Sequence, residues 1–463
     1  MKIYCIWIIL CYNNLVKDVE IIRYGANGEG VGEKDGKVVF VPYALCGENV
    51  EIIDVKDNKN FVIGKISKIN KRSENRIVPP CPYFEKCGGC DIMHANACEQ
   101  SAIKQQIVEN NLKKYANYTG KIENIIGGEN KFFYRNHITF QVSENGKLGF
   151  FQKESHTFLQ ISECMIANQK INECITMINS YFFDNKLHGY NEKTKQGEIK
   201  QVDIKFVQNC LLLTFVCTCQ ELKNLDNLKV RLNCLNISYG IYLSYNDKNN
   251  TIYGKLKHCF GVKEIEYTDC SIKSFVSPFS FMQINDEIKD KIYTKILQLV
   301  SGKTVLDAYS GRGVLSCILA KKVQKVVGVE IVESGVLDAQ KIAMQNNITN
   351  AMFICADIKT VIQNLGHFDT IILDPPRKGC DKQVLDSIIK MQPNEIIYLS
   401  CSSNTLARDL TQLMHNYAIT LVQPYDMFPQ TRHIETLVML KKKEKFQQCW
   451  HKTKQTFWRN YER

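Results

Sequence analysis

Four apolar runs in the last third of the chain, each ending in an acidic residue, constrain the fold more than any other feature of the sequence. The first, Val305–Asp307, leads into a glycine-rich turn, and the others end at Glu330, Asp357 and Asp374. Short apolar runs that alternate with helical patterns are typical of a parallel sheet, which binds ligands at the carboxyl ends of its strands. The sequence therefore predicts an α/β domain over residues 269–441 with several acids at one edge of its sheet.

The turn after the first run narrows the class of ligand. A strand, a glycine turn and a helix let the backbone approach a ligand at a helix N-terminus. The turn contains Tyr309, Gly311 and Gly313 but lacks the third glycine that a dinucleotide pyrophosphate needs, and Asp307 suits a cationic or amino-acid-bearing ligand. Together with the order of the acids and the segment Asp374–Pro376, this pattern resembles class I (Rossmann-like) S-adenosylmethionine-dependent methyltransferases.

The residues around Asp374–Pro376 bear on which atom is methylated. Enzymes that methylate exocyclic amines typically have an aromatic residue after the two prolines, whereas this chain has Arg377. RNA cytosine-5-methyltransferases have a cysteine in this loop, but here none occurs before Cys380. Cys401 and Glu435 follow at two later strand ends and offer a nucleophile and a base. Taken alone, each is more often packing or solvated surface, since the chain has 20 cysteines.

The segment Asp374–Gly379, the positions of Cys401 and Glu435 and the motif at Phe281–Asn285 resemble the RNA uracil-5-methyltransferase family. The resemblance implies that Cys401 adds to uracil C6, that C5 accepts the methyl group and that Glu435 removes the C5 proton. The thiol needs a lowered pKa, for which a helix starting at Asn404 is a plausible source. Burial is expected to raise the pKa of Glu435.

The resemblance also implies the contacts of S-adenosylmethionine. Glu330 is expected at the ribose hydroxyls and Gln283 at the methionine group, while Asp357 lies near the adenine or is simply a helix cap. Asp374 is expected to line the uracil and methyl site, and Arg377 faces either RNA phosphate or a structural carboxylate. The full cofactor set implied by the resemblance is Gln283, Asp307, Tyr309, Gly311, Gly313, Glu330, Asp357 and Asp374.

A separate group of cysteines lies far upstream. Cys81, Cys87 and Cys90 have the spacing C-x5-C-x2-C, and Cys164 follows 74 residues later. Four thiolates bind an iron-sulfur cluster or zinc, and zinc sites usually have two C-x2-C pairs, which this region lacks. The arrangement is similar to that of the iron-sulfur members of the family, which implies a [4Fe-4S] cluster on these four residues, with Cys98 outside the ligand set.

The remaining segments complete a predicted multidomain α/β organisation. Short strands with glycine turns over residues 16–72 predict a β-barrel, which the resemblance implies is a TRAM, or OB-like, RNA-binding domain. Residues 73–120 and 160–168 form the predicted cluster region, and residues 121–268 form a central β-rich domain. These three units precede the predicted methyltransferase domain.

The two ends of the chain carry weaker signals. Residues 1–15 are expected to be a leader, spurious or disordered, and are too short to span a membrane. Residues 442–463 form a basic, aromatic tail that either stacks on RNA or docks as a helix on the body. The scattered cysteines and the lack of an evident secretory signal favour the cytoplasm.

The formal net charge of +11 is a weak indication of a polyanionic partner. Family members that act on tRNA typically lack both the barrel and the cluster, so the resemblance implies 23S ribosomal RNA as the substrate of a monomeric enzyme. The alternatives are a tRNA uracil-5-methyltransferase and an inactive RNA-binding iron-sulfur protein.

Overall fold

The computed structural model describes residues 17–246 and 254–443, which form one six-stranded, two seven-stranded and one two-stranded sheet. The predicted leader and almost all of the predicted tail lie outside these residues. Among the described residues, no helix is both long enough and apolar enough to cross a membrane.

The N-terminal sheet closes on itself. Its strands are β1 Lys17–Glu20, β2 Arg23–Tyr24, β3 Gly30–Lys34, β4 Lys37–Val41, β5 Asn49–Asp57 and β6 Phe61–Lys71, in the order β1-β5-β6-β4-β3-β2. Because only two residues separate β1 from β2, one chain segment forms both edges, and Ile22 N donates to Val31 O at 2.9 Å. A Cβ on Gly32 would lie 2.4 Å from Glu20 O, so this close approach requires glycine. The assignment of this unit to a TRAM domain stays a prediction.

Helix α1, Ala97–Ala116, follows the cysteine-containing turns and packs on the catalytic sheet. Its N-cap Asn96 accepts a hydrogen bond from Glu99 N at 2.9 Å. The apolar face, which includes Ile103 and Leu112, shares a buried core with Leu406 and Leu410, which lie in the predicted methyltransferase domain. The helix thus connects the predicted cluster region to the last third of the chain.

The central region contains more helix than the prediction of a β-rich domain indicated. Its sheet has the order β13-β12-β11-β10-β7-β8-β9. The strands are β7 His137–Val142, β8 Leu148–Phe151, β9 Phe158–Gln160, β10 Ile199–Val207, β11 Cys210–Cys217, β12 Ser238–Tyr245 and β13 Lys255–Gly261. Helix α2, Gln169–Asp184, covers this sheet, and α3, Leu225–Asn233, joins the parallel strands β11 and β12. The domain boundaries stay predictions.

The last sheet has the order β18-β17-β16-β19-β20-β22-β21, preceded by the hairpin β14 Ile265–Asp269 and β15 Ile272–Val276. Its strands are β16 Thr304–Asp307, β17 Lys325–Glu330, β18 Ala351–Cys355, β19 Thr370–Leu373, β20 Glu395–Ser400, β21 Tyr417–Tyr425 and β22 Glu435–Lys442. The helices are α4 Asp286–Leu299, α5 Val314–Ala320, α6 Glu333–Gln345, α7 Ile358–Val361, α8 Lys382–Met391 and α9 Ser403–Leu413, with a 3-10 turn at Ile362–Asn364. The strand order reverses between β16 and β19, the place where doubly wound sheets bind ligands.

Candidate active site

Cys401 and Glu435 are brought together by the register of two antiparallel strands. Ser400, the last residue of β20, pairs with Thr436 of β22. Cys401 follows Ser400 and Glu435 precedes Thr436, so the thiol and the carboxyl group occupy facing positions at the same end of the sheet. Cys401 is partly buried and Glu435 is 6% exposed. The structure thus brings together the two residues that the sequence named as nucleophile and base.

Burial controls the ionisation of this pair. The pKa of Cys401 is raised to about 11, first by desolvation and then by the Glu435 carboxylate, while Arg377 opposes the rise. Desolvation also raises the pKa of Glu435 well above its usual value, with a further contribution from Asp374. The predicted rise for Glu435 is confirmed by this shift. The predicted lowering for Cys401 is wrong for this structure, because the apolar surroundings outweigh the nearby helix start.

Asp374 and Arg377 complete the charge environment of the pair. Burial, followed by the neighbouring Asp307, raises the pKa of Asp374 to about 7. Arg377 is exposed, and it lowers the pKa of both Cys401 and Glu435. Arg377 therefore faces Cys401 and Glu435. The sequence had left open only RNA phosphate or a structural carboxylate as its partner.

Helix α9 holds the loop that carries Asp374 and Arg377. Thr405 Oγ1 donates to Arg377 O at 3.1 Å, and Arg408 donates to Lys378 O at 2.9 Å. The buried Asp409 accepts from Cys380 N at 2.8 Å. Because α9 begins two residues after Cys401, one helix positions both the nucleophile and the loop beside it. The roles of Thr405, Arg408 and Asp409 were missed, since single polar residues on a helix give no signal of a distant loop.

Two carboxylates organise the turn predicted to bind the cofactor. Asp307 is 2% exposed and accepts from Ser316 Oγ at 2.6 Å, and burial raises its pKa to about 6. Glu330 accepts from Gly311 N at 3.0 Å and from Val332 N at 2.8 Å. Both carboxylates lie at strand ends beside the glycine turn, as predicted.

The two glycines of this turn have different roles. Gly311 has φ +51°, and a Cβ there would meet nothing within 4 Å. Gly313 has φ +69°, and a Cβ there would lie 2.6 Å from that of Ala339. Gly311 therefore borders open space, while Gly313 allows α5 and α6 to pack closely. Open space flanked by the carboxylates Asp307 and Glu330 fits a cationic ligand with ribose hydroxyls.

Three other predicted cofactor residues have structural roles here. Asp357 caps α7 by accepting from Lys359 N at 3.1 Å, which is the alternative that the sequence left open. Tyr309 packs against the main core beside Cys380, and burial raises its pKa. Gln283 accepts at its backbone oxygen from Asn136 Nδ2 at 3.1 Å. Their contacts with a cofactor stay predictions.

The segment before Gln283 is held by cations that the sequence did not single out. Lys205 of the central sheet is buried, and its Nζ donates to Pro278 O and Ser280 O, both at 2.7 Å. Arg312, between the two glycines of the turn, donates to Phe281 O at 3.3 Å. The cofactor turn and the Gln283 segment are therefore joined to each other and to the central region.

The four predicted metal ligands, Cys81, Cys87, Cys90 and Cys164, line one cavity of about 430 Å³. Burial raises the pKa of Cys87, Cys90 and Cys164, and neighbouring cysteines of the set raise each of them further. The structure thus places the distant Cys164 beside the other three, as predicted. Cys98 is exposed and does not line the cavity.

The spacing of these thiols bears on the kind of group they suit. Zinc bonds to sulfur at about 2.3 Å, which places tetrahedral thiolates about 3.8 Å apart. In residues 17–246 and 254–443, no three of the four sulfur atoms all lie within 4.8 Å of one another. The four thiols therefore do not form a closed tetrahedral zinc site in this arrangement.

A second group of possible metal ligands consists of Asp269, Cys270 and Asp290. Their ligand atoms do lie within 4.8 Å of one another. Lys289 Nζ lies 2.6 Å from Asp269 Oδ2 and 3.2 Å from Asp290 Oδ1. An ammonium group thus already balances these carboxylates, and we assign no metal to them.

Comparisons with known proteins agree with this geometry. The sequence model of the tRNA (Uracil-5-)-methyltransferase family matches residues 99–443. An uncharacterized RNA methyltransferase of Clostridium tetani is 32% identical, with 92% of this chain and 96% of that protein covered. One of Listeria innocua is 35% identical, with 89% and 95% covered.

A solved structure is similar over almost the whole chain. It is the Pyrococcus abyssi tRNA (uracil-54, C5)-methyltransferase in complex with S-adenosyl-L-homocysteine, with a TM-score of 0.75 and 25% identity. The alignment covers 92% of this chain and 100% of that one. With the family match and the relatives, it shows that this chain is a methyltransferase and belongs to the RNA uracil-5-methyltransferase family.

Proposed function

We propose that this protein methylates C5 of a uracil in RNA, with S-adenosylmethionine as the methyl donor. The observation that carries the proposal is the facing position of Cys401 and Glu435 beside Asp374, fixed by strand register. The Pyrococcus abyssi enzyme supports the choice of base and of cofactor, since its name and its bound product specify both.

Cys401 is the proposed nucleophile. Its sulfur forms a bond to uracil C6, and the electron pair of the C5–C6 double bond moves to make C5 an enolate carbon. Because the thiol pKa is raised, the thiol must first release its proton to solvent, and the nearby Arg377 cation favours the resulting thiolate. The target base must be unpaired or flipped out of its helix for the thiol to reach it.

Glu435 is the proposed general base. After C5 has accepted the methyl group, the C5 proton passes to the carboxylate, the double bond re-forms and the S–C6 bond breaks. Burial raises the pKa of Glu435, which makes its carboxylate a stronger base once it is ionised. A single carboxyl group at this position therefore frees both the product and the enzyme.

The cofactor is proposed to lie over the glycine turn between β16 and β17. When bound, S-adenosylmethionine supplies the electrophilic methyl group of a sulfonium cation. The carboxylates of Asp307 and Glu330 flank the open space at Gly311 and favour a cation and hydroxyl groups there. The Gln283 segment, held by Arg312 and Lys205, is proposed to border the methionine group.

We further propose that Cys81, Cys87, Cys90 and Cys164 hold a [4Fe-4S] cluster. The shared cavity, and the effect of these thiols on one another's pKa values, support this ligand set. Iron bound to all four would keep them as thiolates despite the raised pKa values.

The proposed substrate is 23S ribosomal RNA, with tRNA as the second candidate. The first choice rests on the closed N-terminal sheet and the cysteine set, which the resemblance associates with ribosomal RNA. The second is favoured by the Pyrococcus abyssi enzyme, which acts on tRNA and aligns with 92% of this chain. The N-terminal region alone therefore does not separate the two substrates.

Incubation of the protein with methyl-labelled cofactor and either 23S RNA or tRNA tests the proposal. We expect label in 5-methyluridine of 23S RNA, and none with Cys401→Ala. Exposed Cys234, which follows α3 in the central region, provides the matched control, because Cys234→Ala should keep full activity. Label in tRNA alone would select the second candidate. RNA binding without label in either RNA would contradict the enzymatic proposal.

A further inference from the structure

Gln430 is a buried residue in an unfavourable backbone conformation close to the catalytic strand. It has φ +71° and is 3% exposed, and it lies five residues before Glu435. A residue other than glycine in the left-handed region is strained and persists only when its surroundings fix it. The contacts of Gln430 therefore indicate what holds this part of the chain.

Five hydrogen bonds hold Gln430, and all of them come from outside the catalytic sheet. Its backbone oxygen accepts from Asp91 N at 3.1 Å and Ile92 N at 3.2 Å. Its backbone nitrogen donates to Gln100 Oε1 at 3.1 Å, and its Oε1 accepts from Gln100 Nε2 at 2.9 Å. Its Nε2 donates to Lys131 O at 3.3 Å. Two of these partners directly follow Cys90 in the sequence.

The neighbours of Gln430 in the chain are also held by residues from outside the last sheet. Tyr134 Oη donates to Pro429 O at 3.0 Å, and Arg432 Nη1 lies 3.6 Å from Asp91 Oδ1. Lys104 of α1 is fully buried, pairs with Asp426 and donates to Phe428 O at 3.0 Å. The segment 426–432, here called the base loop, is thus held by α1 and the chain that follows Cys90, and also by Lys131, Tyr134 and Asn285, whose Nδ2 donates to Met427 O at 3.2 Å.

The base loop leads directly into β22, whose first residue is Glu435. We infer that Gln430 is a positioning residue for Glu435, through which the segment after Cys90 sets the place of the general base. This inference rests on the proposed function of Glu435. It gives the cysteine-containing segment a role in the reaction that involves no electron transfer.

The inference distinguishes two steps of the proposed reaction. Cys401 lies on the β20–α9 connection, and the cofactor turn lies between β16 and α5, so neither belongs to the base loop. Substituting Gln430 leaves the hydrogen bond between Asn285 and Met427 in place, so it should spare thiol addition and methylation at C5. It should slow the removal of the C5 proton, which must precede cleavage of the S–C6 bond. The methylated RNA would then stay covalently bound to Cys401.

The test uses the full-length protein, uridine-containing substrate RNA and labelled cofactor. For Gln430→Leu we expect elimination to slow by on the order of 10- to 100-fold, as for a catalytic group displaced by about 1 Å. A denaturing gel should show methylated RNA attached to the protein, while the burst of methyl transfer keeps its wild-type rate. Gln100→Leu removes both hydrogen bonds between Gln100 and Gln430 without changing Gln430 itself, and it should give the same adduct.

Gln423→Leu is the matched control. Gln423 is also buried in the last sheet. Its Nε2 donates to Asn124 O at 2.7 Å, and Asn124 belongs neither to the base loop nor to the partners of Gln430. Gln423→Leu should lose stability without accumulating adduct.

Equal adduct levels in Gln430→Leu, Gln100→Leu and Gln423→Leu would overturn the inference. If Gln430→Leu does not fold, Gln100→Leu decides alone, because it leaves the base loop sequence intact. A wild-type protein that transfers no methyl group to uridine would instead refute the proposed function, so the two failures are distinguishable.

Discussion

The catalytic pocket and the cysteine cavity both bury ionisable groups, but the backbone supports them differently. Cys401, Glu435 and Asp374 lie at the ends of three strands of one sheet, where hydrogen-bonded register sets their positions. The cysteines lie in turns, with Cys87 joined to Gln152 only by an isolated bridge.

The difference indicates what each site needs in order to form. Strand register determines which residues face each other at the end of the sheet, and the base loop additionally holds the start of β22. These side chains can therefore have raised pKa values without losing their places. Thiols in turns repel one another when they ionise, so they need a bound cation to remain together as thiolates. We therefore expect changes in the catalytic pocket to alter chemistry, and changes in the cysteine cavity to alter local structure.

The largest effect should come from Glu435→Gln, which keeps the shape of the side chain but cannot accept the C5 proton. Turnover should fall by on the order of 10²–10⁴-fold, the usual contribution of a general base. The thermal midpoint should not fall, because a buried carboxyl group is replaced by a neutral amide. Turnover within tenfold of wild type, measured as labelled 5-methyluridine, would place the base elsewhere.

The next effect should come from Cys87→Ser, which removes one thiol from the cavity. The protein purified without oxygen should lose most of its iron, and residues 81–95 should exchange amide hydrogens faster than in wild type. Strand β20 should keep its protection. Exposed Cys98 provides the control, and equal iron loss in Cys98→Ser would show that the ligand set is wrong.

A smaller effect is expected from Asp374→Asn on the pH dependence of stability. The folded pKa of Asp374 is about 7 against an ordinary 3.8, so the folded state holds the proton more tightly. Stability is therefore lost as pH rises from about 4 to about 7, by about 2 kcal/mol after allowance for partial exposure. Urea unfolding should give a flatter curve for Asp374→Asn, and parallel curves would contradict the assigned shift.

The smallest effect concerns Arg377 and the reactivity of Cys401. Arg377→Met removes a cation that lowers the thiol pKa, so alkylation of Cys401 at pH 8 should slow by roughly threefold. Glu435→Gln removes an opposing anion and should accelerate the same alkylation. Mass spectrometry of the Cys401 peptide measures both rates. Changes of the same sign in the two variants would show that charge does not control this thiol.

Much of the catalytic sheet was predictable because its strands are buried on both faces. Residues 370–373 are all buried, and such continuous apolar runs end where the acids begin. The sequence therefore placed Asp307, Glu330 and Asp374 at strand ends. It also named Cys401 and Glu435, but their proximity needed the register of β20 and β22.

Other features depend on contacts that no local pattern encodes. The sign of the Cys401 pKa shift depends on burial by several elements, so a nearby helix start was a misleading signal. Gln430 bonds to Gln100, 330 residues away, and neither lies in a motif. Helix α2 was missed although Ile171, Ile175 and Ile178 form an apolar face, because the strands on either side dominated the interpretation.

Strand β22 lies between β20 and β21 although it follows both in the chain. During synthesis, β21 therefore has no neighbour in the sheet until β22 has been made and inserted. Such late, non-local pairing is slow to form and leaves strand edges open in the meantime. Because the same strand begins with Glu435, a nascent chain with an incomplete sheet also lacks the proposed base, so the reaction cannot be completed until the last strand is in place.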